Sequence, residues 1–214
     1  QCDPHPEPYE HLCSATDVVV REDYDRDKAI ELLPQAHGII LGGLSVGPAE
    51  MDLASNLEVM GRHGIGIDKV DLAAASERGI PLTHTPEGPT ESTAEHAFML
   101  LLAVACRVSQ FDRAVRAGVF NVHSDQANMG YELRGKALGV VGFGRIGRRV
   151  AQMARDALEM PIYVHDPYVD AAEVVAWGAE PMADLIEMAG RVDVLTIHTP
   201  LTAQTRHMVS REVI

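Results

Sequence analysis

Short apolar runs alternate along the chain with stretches whose apolar residues recur at helical spacing. Residues 137–141 form one apolar run, and residues 162–164 form another. Between them, apolar residues at positions 146, 150, 153, 154 and 157 follow the period of a helix. The order strand, helix, strand is typical of parallel strands joined by a crossover helix. The stretch from Lys136 to Asp166 therefore predicts one complete βαβ unit.

The same alternation predicts further elements on both sides of this unit. Strands are expected at 16–20, 37–41, 57–60, 79–84 and 192–198, and helices at 25–33, 71–78, 171–177 and 184–188. The strand at 37–41 is expected to be buried. Residues 1–15, rich in Pro and His, are expected to form a solvated loop. Metal binding by His5 and His11 is the less favoured alternative, because no Cys or carboxylate cluster completes a ligand set. Together these elements predict an α/β fold of doubly wound parallel sheets.

A break in the pattern predicts a domain boundary and a long helix. Pro86-Glu87-Gly88-Pro89 interrupts helix and strand alike, which favours a hinge between domains 1–86 and 87–214. Ser92-Thr93-Ala94-Glu95 has the sequence of a capping box, and nine consecutive apolar residues follow from Ala97 to Ala105. A helix that is apolar nearly all round must be buried on several sides. It is expected between domains or in a subunit interface, with burial inside one domain as an equal alternative.

The turn inside the βαβ unit carries the glycines of a dinucleotide-binding motif. Glycine at 142, 144 and 147 permits a tight turn, the approach of a pyrophosphate to the backbone, and close packing of helix on strand. The N–H groups and positive dipole end of the helix would face the phosphates. Asp166, about 20 residues past the last glycine, would accept hydrogen bonds from the adenosine ribose. Its carboxylate would repel a 2′-phosphate, so the motif predicts NAD rather than NADP; a purely structural turn is the alternative.

Two other segments at strand ends are candidate ligand contacts. The N–H groups of Gly64, Ile65 and Gly66 could converge on a substrate carboxylate, although an ordinary turn explains the same spacing equally well. His198, Thr199 and Pro200 lie where the strand at 192–198 ends, and ligands in open α/β sheets bind outside the carboxyl ends of strands. A turn without a ligand is the alternative there.

Composition narrows the classes of function. The 214 residues carry a formal net charge of −13, which argues against nucleic acid and anionic membranes as partners. The three cysteines are too few and too scattered for a disulfide framework. No signal peptide is visible, and the longest apolar run is far shorter than the roughly 20 residues that span a bilayer. A cytoplasmic enzyme is expected.

Four of these motifs, taken in order, resemble the D-isomer-specific 2-hydroxyacid dehydrogenases. The matching segments are residues 64–68, 85–86 with 92–96, 142–147 with Asp166, and 198–202, while Lys69 departs from the asparagine usual in the family. The resemblance implies a flavodoxin-like substrate domain and a Rossmann NAD domain, the second incomplete. It also implies hydride transfer between NAD and C2 of a 2-hydroxy or 2-keto acid of the phosphoglycerate, glycerate or glyoxylate type.

The resemblance further implies which residues contact ligands. Substrate contacts are expected at Gly64, Ile65 and Gly66. Cofactor contacts are expected at Thr93, Gly142, Gly144, Arg145, Ile146, Gly147, Asp166, His198, Thr199, Pro200 and Thr205. A homodimer built around the helix from Glu95 to Arg107 is implied as well.

No catalytic residue is assigned, because the family's catalytic arginine, glutamate and histidine are expected after Ile214. The chain is therefore expected to be an inactive fragment that also lacks the family's first strand and its C-terminal return. Arg206 and five histidines do not match the positions of the catalytic residues: His63, His84, His96, His198 and His207. An NAD(H)-sensing corepressor of the same fold is the alternative function. A methyltransferase is disfavoured by the loop at 64–68 and by residues 198–202.

Overall fold

The computed structural model describes residues 6–20, 25–120 and 129–214. The chain divides between Thr85 and Pro86 into two compact units, here called the first and the second unit. Each unit has its own parallel sheet with its own apolar core. Parallel strands connected by helices confirm the predicted α/β class.

The first unit is built on a three-stranded parallel sheet in the order β1-β2-β3. Its described elements are α1 (Pro6–Ala15), α2 (Arg26–Leu32), a 3-10 turn (Leu33–Gln35), β1 (Gly38–Leu41), α3 (Pro48–Leu53), β2 (Val59–Arg62), α4 (Leu72–Glu77) and β3 (Leu82–His84). Met60 on the central strand is fully buried and forms the core with Leu41, Val46 and Met51. The three strands run in the same direction, so the loops that follow them share one edge of the sheet.

The second unit is built on a four-stranded parallel sheet in the order β6-β5-β4-β7. Its described elements are α5 (Thr90–Ala105), α6 (Val108–Arg116), β4 (Leu138–Val141), α7 (Arg145–Leu158), β5 (Ile162–His165), α8 (Ala171–Trp177), β6 (Glu180–Pro181), α9 (Leu185–Ala189) and β7 (Val194–Ile197). All four residues of β4 are buried, because this strand lies between two others. Val141 pairs in register with His165 and Ile197, so the segments that follow β4, β5 and β7 begin at the same edge.

The amino-terminal predictions are wrong where the structure describes them. Residues 6–15 form helix α1 instead of a loop, because Pro6 and Pro8 stand in the first turn, where a missing N–H breaks no helical hydrogen bond. Residues 1–5 of the predicted loop lie outside the described residues. Residues 17–20 form no strand, and Val19 is 68% exposed, since no described strand runs beside them to accept their hydrogen bonds.

Two predictions about strands need adjustment. The strand expected at 37–41 forms as β1, but only Leu41 is buried, because β1 is an edge strand of the described sheet and Ile40 is 66% exposed. The strand expected at 57–60 forms two residues later as β2, which ends at Arg62.

The long helix differs from its prediction in the residue at which it begins and in how much of its surface is buried. It begins at Thr90, so Ser92 lies inside it and donates its hydroxyl to the Pro89 carbonyl; the predicted capping box is wrong. Helix α5 packs on α7 and buries Ala94 and Ala105. Exposed apolar side chains remain on α5: Met99, Leu100 and Val104. Burial of the whole helix inside one domain is therefore wrong, and its place between domains or in a subunit interface stays a prediction.

Candidate cofactor site and substrate loop

The turn from β4 into α7, residues 142–147, is called the glycine bend and is shaped by close packing. Gly142 has a φ of +91°, and a Cβ there would lie 2.9 Å from the carbonyl carbon and oxygen of His198. A Cβ on Gly147 would lie 2.1 Å from the Gly142 carbonyl oxygen. Both positions therefore require glycine, since any side chain would collide with backbone that cannot move cheaply.

The outer side of the bend is open. A Cβ on Gly144 would meet no atom within 4 Å. Gly144 is the N-cap of α7 and offers no side-chain cap, so the N–H groups of Arg145, Ile146 and Gly147 have no acceptor among the described residues. Free N–H groups at the positive end of a 14-residue helix favour an anion such as a phosphate.

Asp166 lies directly across from the bend, at the end of β5. One carboxylate oxygen accepts the Phe143 N–H at 2.7 Å, and the other accepts the Tyr168 N–H at 2.8 Å. Phe143 itself is fully buried, with the Trp177 ring edge-on at 5.2 Å between centroids and the Arg148 guanidinium 4.5 Å from its own centroid. The acid is thus tied to a rigid part of the bend, and each oxygen keeps a lone pair for a sugar hydroxyl.

Residues 198–205 lie against the other side of the bend. The His198 N–H donates to the Val141 carbonyl at 2.8 Å, which continues the sheet. Its ring Nε2 lies 2.8 Å from the Thr196 hydroxyl, and burial lowers the pKa of His198 below its ordinary value of 6.5, so the neutral form is favoured. The Thr205 hydroxyl donates to the Pro200 carbonyl at 2.6 Å and accepts the Thr202 N–H at 2.8 Å, which holds the turn together.

Ion pairs connect the start of α5 with the start of α7. Glu91 and the Arg149 guanidinium are 2.7 Å apart, and Glu87 lies 3.6 Å from Arg145, which is exposed. Thr93 is exposed on α5 close to these pairs in sequence. The structure thus brings most predicted cofactor residues to one edge of the second sheet, while Thr93 makes no hydrogen bond to the bend within the part of the chain that the structure describes.

In the first unit, the segment 63–67 after β2 contains the predicted substrate contacts and is here called the substrate loop on that expectation. Gly64 has a φ of +136°, its N–H donates to the Thr85 hydroxyl at 2.9 Å, and its carbonyl accepts the Thr85 N–H at 3.1 Å. The Gly64 N–H is therefore occupied within the unit. The N–H groups of Ile65, Gly66 and Ile67 have no acceptor among the described residues.

Sequence reasoning missed the side chains that support both segments. Arg62 lies under the substrate loop and donates to its carbonyls, and His84 does the same from β3. Phe143 anchors Asp166 through its backbone. Arg62 had one signal in the sequence, a charge at the end of an apolar strand. His84 and Phe143 had none, because their roles depend on contacts between strands.

Neither a cluster of metal ligands nor a helix able to cross a membrane occurs in the parts of the chain that the structure covers. Within residues 6–20, 25–120 and 129–214, no group of three or more His, Cys, Asp or Glu side chains is arranged to hold a metal ion. None of the helices described is long and apolar enough to cross a bilayer.

The chain is similar to known dehydrogenases in both sequence and structure. It is 36% identical over 196 residues to the D-3-phosphoglycerate dehydrogenase of Archaeoglobus fulgidus, a match that covers 91% of this chain and 36% of that protein. The chain thus spans about a third of the length of this relative. The TT0316 protein of Thermus thermophilus superposes with a TM-score of 0.86 at 34% identity, over 97% of this chain and 66% of that one. Apo D-mandelate dehydrogenase of Rhodotorula graminis superposes with a TM-score of 0.81 at 25% identity, over 98% and 67%.

The glycine bend lies in the part of the chain that a family model covers. The model described as "D-isomer specific 2-hydroxyacid dehydrogenase, NAD binding domain" matches residues 98–214, more than half of the chain. This match includes the bend, Asp166 and the segment 198–205. The chain therefore belongs to the D-isomer-specific 2-hydroxyacid dehydrogenase family, and its second unit contains the family's NAD-binding domain.

Proposed function

We propose that the protein of which this chain is part is an NAD-dependent oxidoreductase. It transfers a hydride between NAD(H) and C2 of a D-2-hydroxy acid or the corresponding 2-keto acid. The observation that carries the proposal is the pairing of an open helix N-terminus at Gly144 with a carboxylate held across the bend at Asp166. Membership of the family supplies the class of reaction.

The cofactor is proposed to lie across the glycine bend. The N–H groups of Arg145, Ile146 and Gly147 would receive its pyrophosphate. Asp166 would accept hydrogen bonds from the adenosine ribose and would repel the 2′-phosphate of NADP. Further contacts are proposed for the remaining residues of the predicted set: Thr93, Gly142, His198, Thr199, Pro200 and Thr205.

The substrate is proposed to be a small 2-hydroxy acid of the phosphoglycerate, glycerate or glyoxylate type. Relatives from Archaeoglobus fulgidus and Methanocaldococcus jannaschii are named D-3-phosphoglycerate dehydrogenase, and a similar structure from Paecilomyes thermophila is a glyoxylate reductase. The substrate carboxylate would bind the N–H groups of the substrate loop. The first unit, within the proposed domain 1–86, would thus supply the substrate contacts.

The nicotinamide supplies the redox chemistry when it is bound, so the residues of this chain have positioning tasks. The bend fixes the phosphates, Asp166 fixes the sugar, and the substrate loop fixes the carboxylate. Correct positioning alone can account for roughly 7–11 kcal/mol of a barrier. None of the described residues is proposed to be the proton donor or acceptor.

The experiment uses protein from the complete reading frame that contains this chain. It is mixed with NADH and one 2-keto acid at a time: glyoxylate, hydroxypyruvate and phosphohydroxypyruvate. We expect NADH oxidation, followed at its absorbance maximum, with at least one of the three acids. NADH oxidation with none of them, in protein that binds NAD, would favour the NAD(H)-sensing alternative.

We also propose that two copies associate through α5. Its exposed side chains Met99, Leu100 and Val104 form an apolar surface with Val108 at the start of α6. A cavity of about 430 Å³ beside them is lined partly by Arg107 and Tyr131. An exposed apolar patch rimmed by polar groups is typical of an interaction surface. Sedimentation equilibrium should give a dimer for the wild type and a monomer for Val104→Asp.

A further inference from the structure

The carbonyl oxygens of the substrate loop are all occupied from within the first unit. Gly64 accepts the Thr85 N–H at 3.1 Å, and Ile65 accepts the His84 Nδ1–H at 3.2 Å in the matching tautomer. The Arg62 side chain covers the His63 and Gly66 oxygens, with Nη1 at 3.0 Å from the first and Nε at 2.9 Å from the second. The fifth carbonyl of the loop, that of Ile67, accepts the Val70 N–H at 3.0 Å. The four successive carbonyls of residues 63–66 thus point towards Thr85, His84 or Arg62.

The orientation of these carbonyls determines where the N–H groups point. None of the described peptide bonds is cis, and in a trans peptide the C=O and N–H point in opposite directions. The N–H of Ile65 therefore points away from Thr85, and the N–H of Gly66 points away from His84. The N–H of Ile67 points away from Arg62. These are the three N–H groups that have no acceptor within the described part of the unit.

Arg62 is the side chain on which this arrangement depends most. Its Nη1 also lies within hydrogen-bond distance of the carbonyls of Leu41, at 2.9 Å, and Gly42, and its two hydrogens are shared among these oxygens and that of His63. One guanidinium thus joins the end of β1 to the substrate loop. A Cβ placed on Gly64 would lie 3.6 Å from the guanidinium carbon, which means that the planar group packs directly under the loop. Lysine has a single point charge and cannot reproduce donors spread over a plane.

We propose that Arg62 is a positioning residue: it orients the substrate-loop peptides so that the N–H groups of Ile65, Gly66 and Ile67 receive the carboxylate of a 2-keto acid. This inference rests on the proposed function, and it replaces Gly64 with Ile67 in the set of donors. The positive charge of Arg62 on the carbonyl side adds favourable electrostatics for an anion on the N–H side. Several N–H groups presented together in a turn form a concave site for an anion.

The test is an NMR titration of the 214-residue chain with oxamate, an unreactive analogue of a 2-keto acid. In the wild type, the amide resonances of Ile65, Gly66 and Ile67 should shift on binding. In Arg62→Lys, the dissociation constant should rise about tenfold or more, as expected when hydrogen bonds that orient donors to a charged ligand are lost. The NAD dissociation constant should not change, because NAD binds the second unit.

Two further variants separate orientation from general damage to the unit. Arg78, like Arg62, is an arginine of the first unit that donates hydrogen bonds, to the Asp52 carboxylate and the Ala74 carbonyl, but it lies at the end of α4. Arg78→Lys should therefore leave oxamate binding unchanged. Thr85→Val removes the hydroxyl that accepts the Gly64 N–H but keeps the backbone bond to the Gly64 carbonyl. Its oxamate affinity should therefore stay within about threefold of the wild type, since no carbonyl bond is lost.

Three results would overturn the inference. The first is a wild-type titration in which none of the three amides shifts, which needs no variant to fold. The second is an Arg62→Lys chain that binds oxamate as tightly as the wild type. The third is Thr85→Val weakening oxamate binding as much as Arg62→Lys, which would indicate general disruption of the loop. Failure of the proposed function would be visible separately, as loss of NAD binding or of NADH oxidation.

Discussion

The glycine bend and the substrate loop are both glycine-rich turns after a parallel strand, yet different forces hold them. In the bend, Gly142 and Gly147 touch backbone that leaves no room for a Cβ, and Phe143 is fully buried. In the substrate loop, the atoms nearest to a Cβ on Gly64 would belong to the Arg62 side chain at 3.6 Å, and hydrogen bonds from side chains fix the peptides. Backbone packing therefore holds the glycine bend in place, and hydrogen bonds from side chains hold the substrate loop in place.

This difference predicts which substitutions affect folding and which affect binding. A turn fixed by backbone packing responds to added volume with a loss of stability. A turn fixed by hydrogen bonds tolerates volume but changes its shape when one donor is removed. The glycine bend should therefore be sensitive to steric changes, and the substrate loop to polar ones.

The largest expected effect is that of Gly147→Ala. The new Cβ would lie 2.1 Å from the Gly142 oxygen, so α7 must move away from β4. We expect the free energy of unfolding of the second unit to fall by about 3 kcal/mol or more, measured by urea denaturation. Gly144→Ala is the matched control: a Cβ there would meet no atom within 4 Å, so this variant should retain stability. It should weaken NAD binding, because the methyl group would occupy the proposed phosphate site. Equal stability of the two variants would contradict the packing account.

Asp166→Ala should have the next largest effect. Loss of the carboxylate removes the proposed ribose contact and the acceptor of the Phe143 N–H, so NAD affinity should fall about tenfold to a hundredfold, as for hydrogen bonds to a charged group. Discrimination against NADP should decrease as well. Calorimetric titration with both cofactors measures this. Asp184→Ala is the control, since Asp184 also accepts a backbone N–H, from Glu187, but caps α9. Unchanged NAD affinity in Asp166→Ala would remove this residue from the ribose site.

Gly64→Ala should have a moderate effect of a different origin. The φ of +136° is strained for alanine, so the first unit should lose about 1–3 kcal/mol of stability by conformational strain, without a steric clash. Urea denaturation measures this loss, and the NAD affinity of the second unit should stay intact. A loss as large as that of Gly147→Ala would mean that packing also controls the substrate loop.

The smallest expected effect is the pH dependence from His198. Burial lowers its pKa in the folded chain, so below its ordinary value of 6.5 the unfolded chain binds a proton that the folded chain does not. Stability should therefore fall as the pH drops below about 6.5, and less so in His198→Gln. The Gly47 N–H lowers the pKa of Glu50 below its ordinary value of 4.5. Glu50 therefore changes the stability only at a pH below 4.5, outside the range in which His198 acts. Identical pH profiles of wild type and His198→Gln between about pH 7 and 5 would contradict this assignment.

The two turns also explain what the sequence could predict. The turn was predictable because close packing requires glycine at Gly142 and Gly147, and because Gly144 and Asp166 complete a motif of fixed spacing. The supports of the substrate loop were not, because Arg62 and His84 act across strands that are distant in sequence. The order of residues along the chain does not show which side chains from different strands will contact each other.

The element predictions failed for related reasons. The expected strand at 16–20 has the apolar residues of a strand but no described neighbour. The capping box predicted at Ser92 does not form, because the helix already begins at Thr90, directly after Pro89. Local sequence patterns therefore predicted the interiors of helices and strands better than their ends, because tertiary contacts determine where an element begins and ends.

The most direct test of the central claim is a crystal structure of the chain with NAD bound. The pyrophosphate should lie on the N–H groups of Arg145, Ile146 and Gly147, and the adenosine ribose on the Asp166 carboxylate. NAD bound anywhere other than the glycine bend, or a pyrophosphate excluded from the space beside Gly144, would contradict this claim.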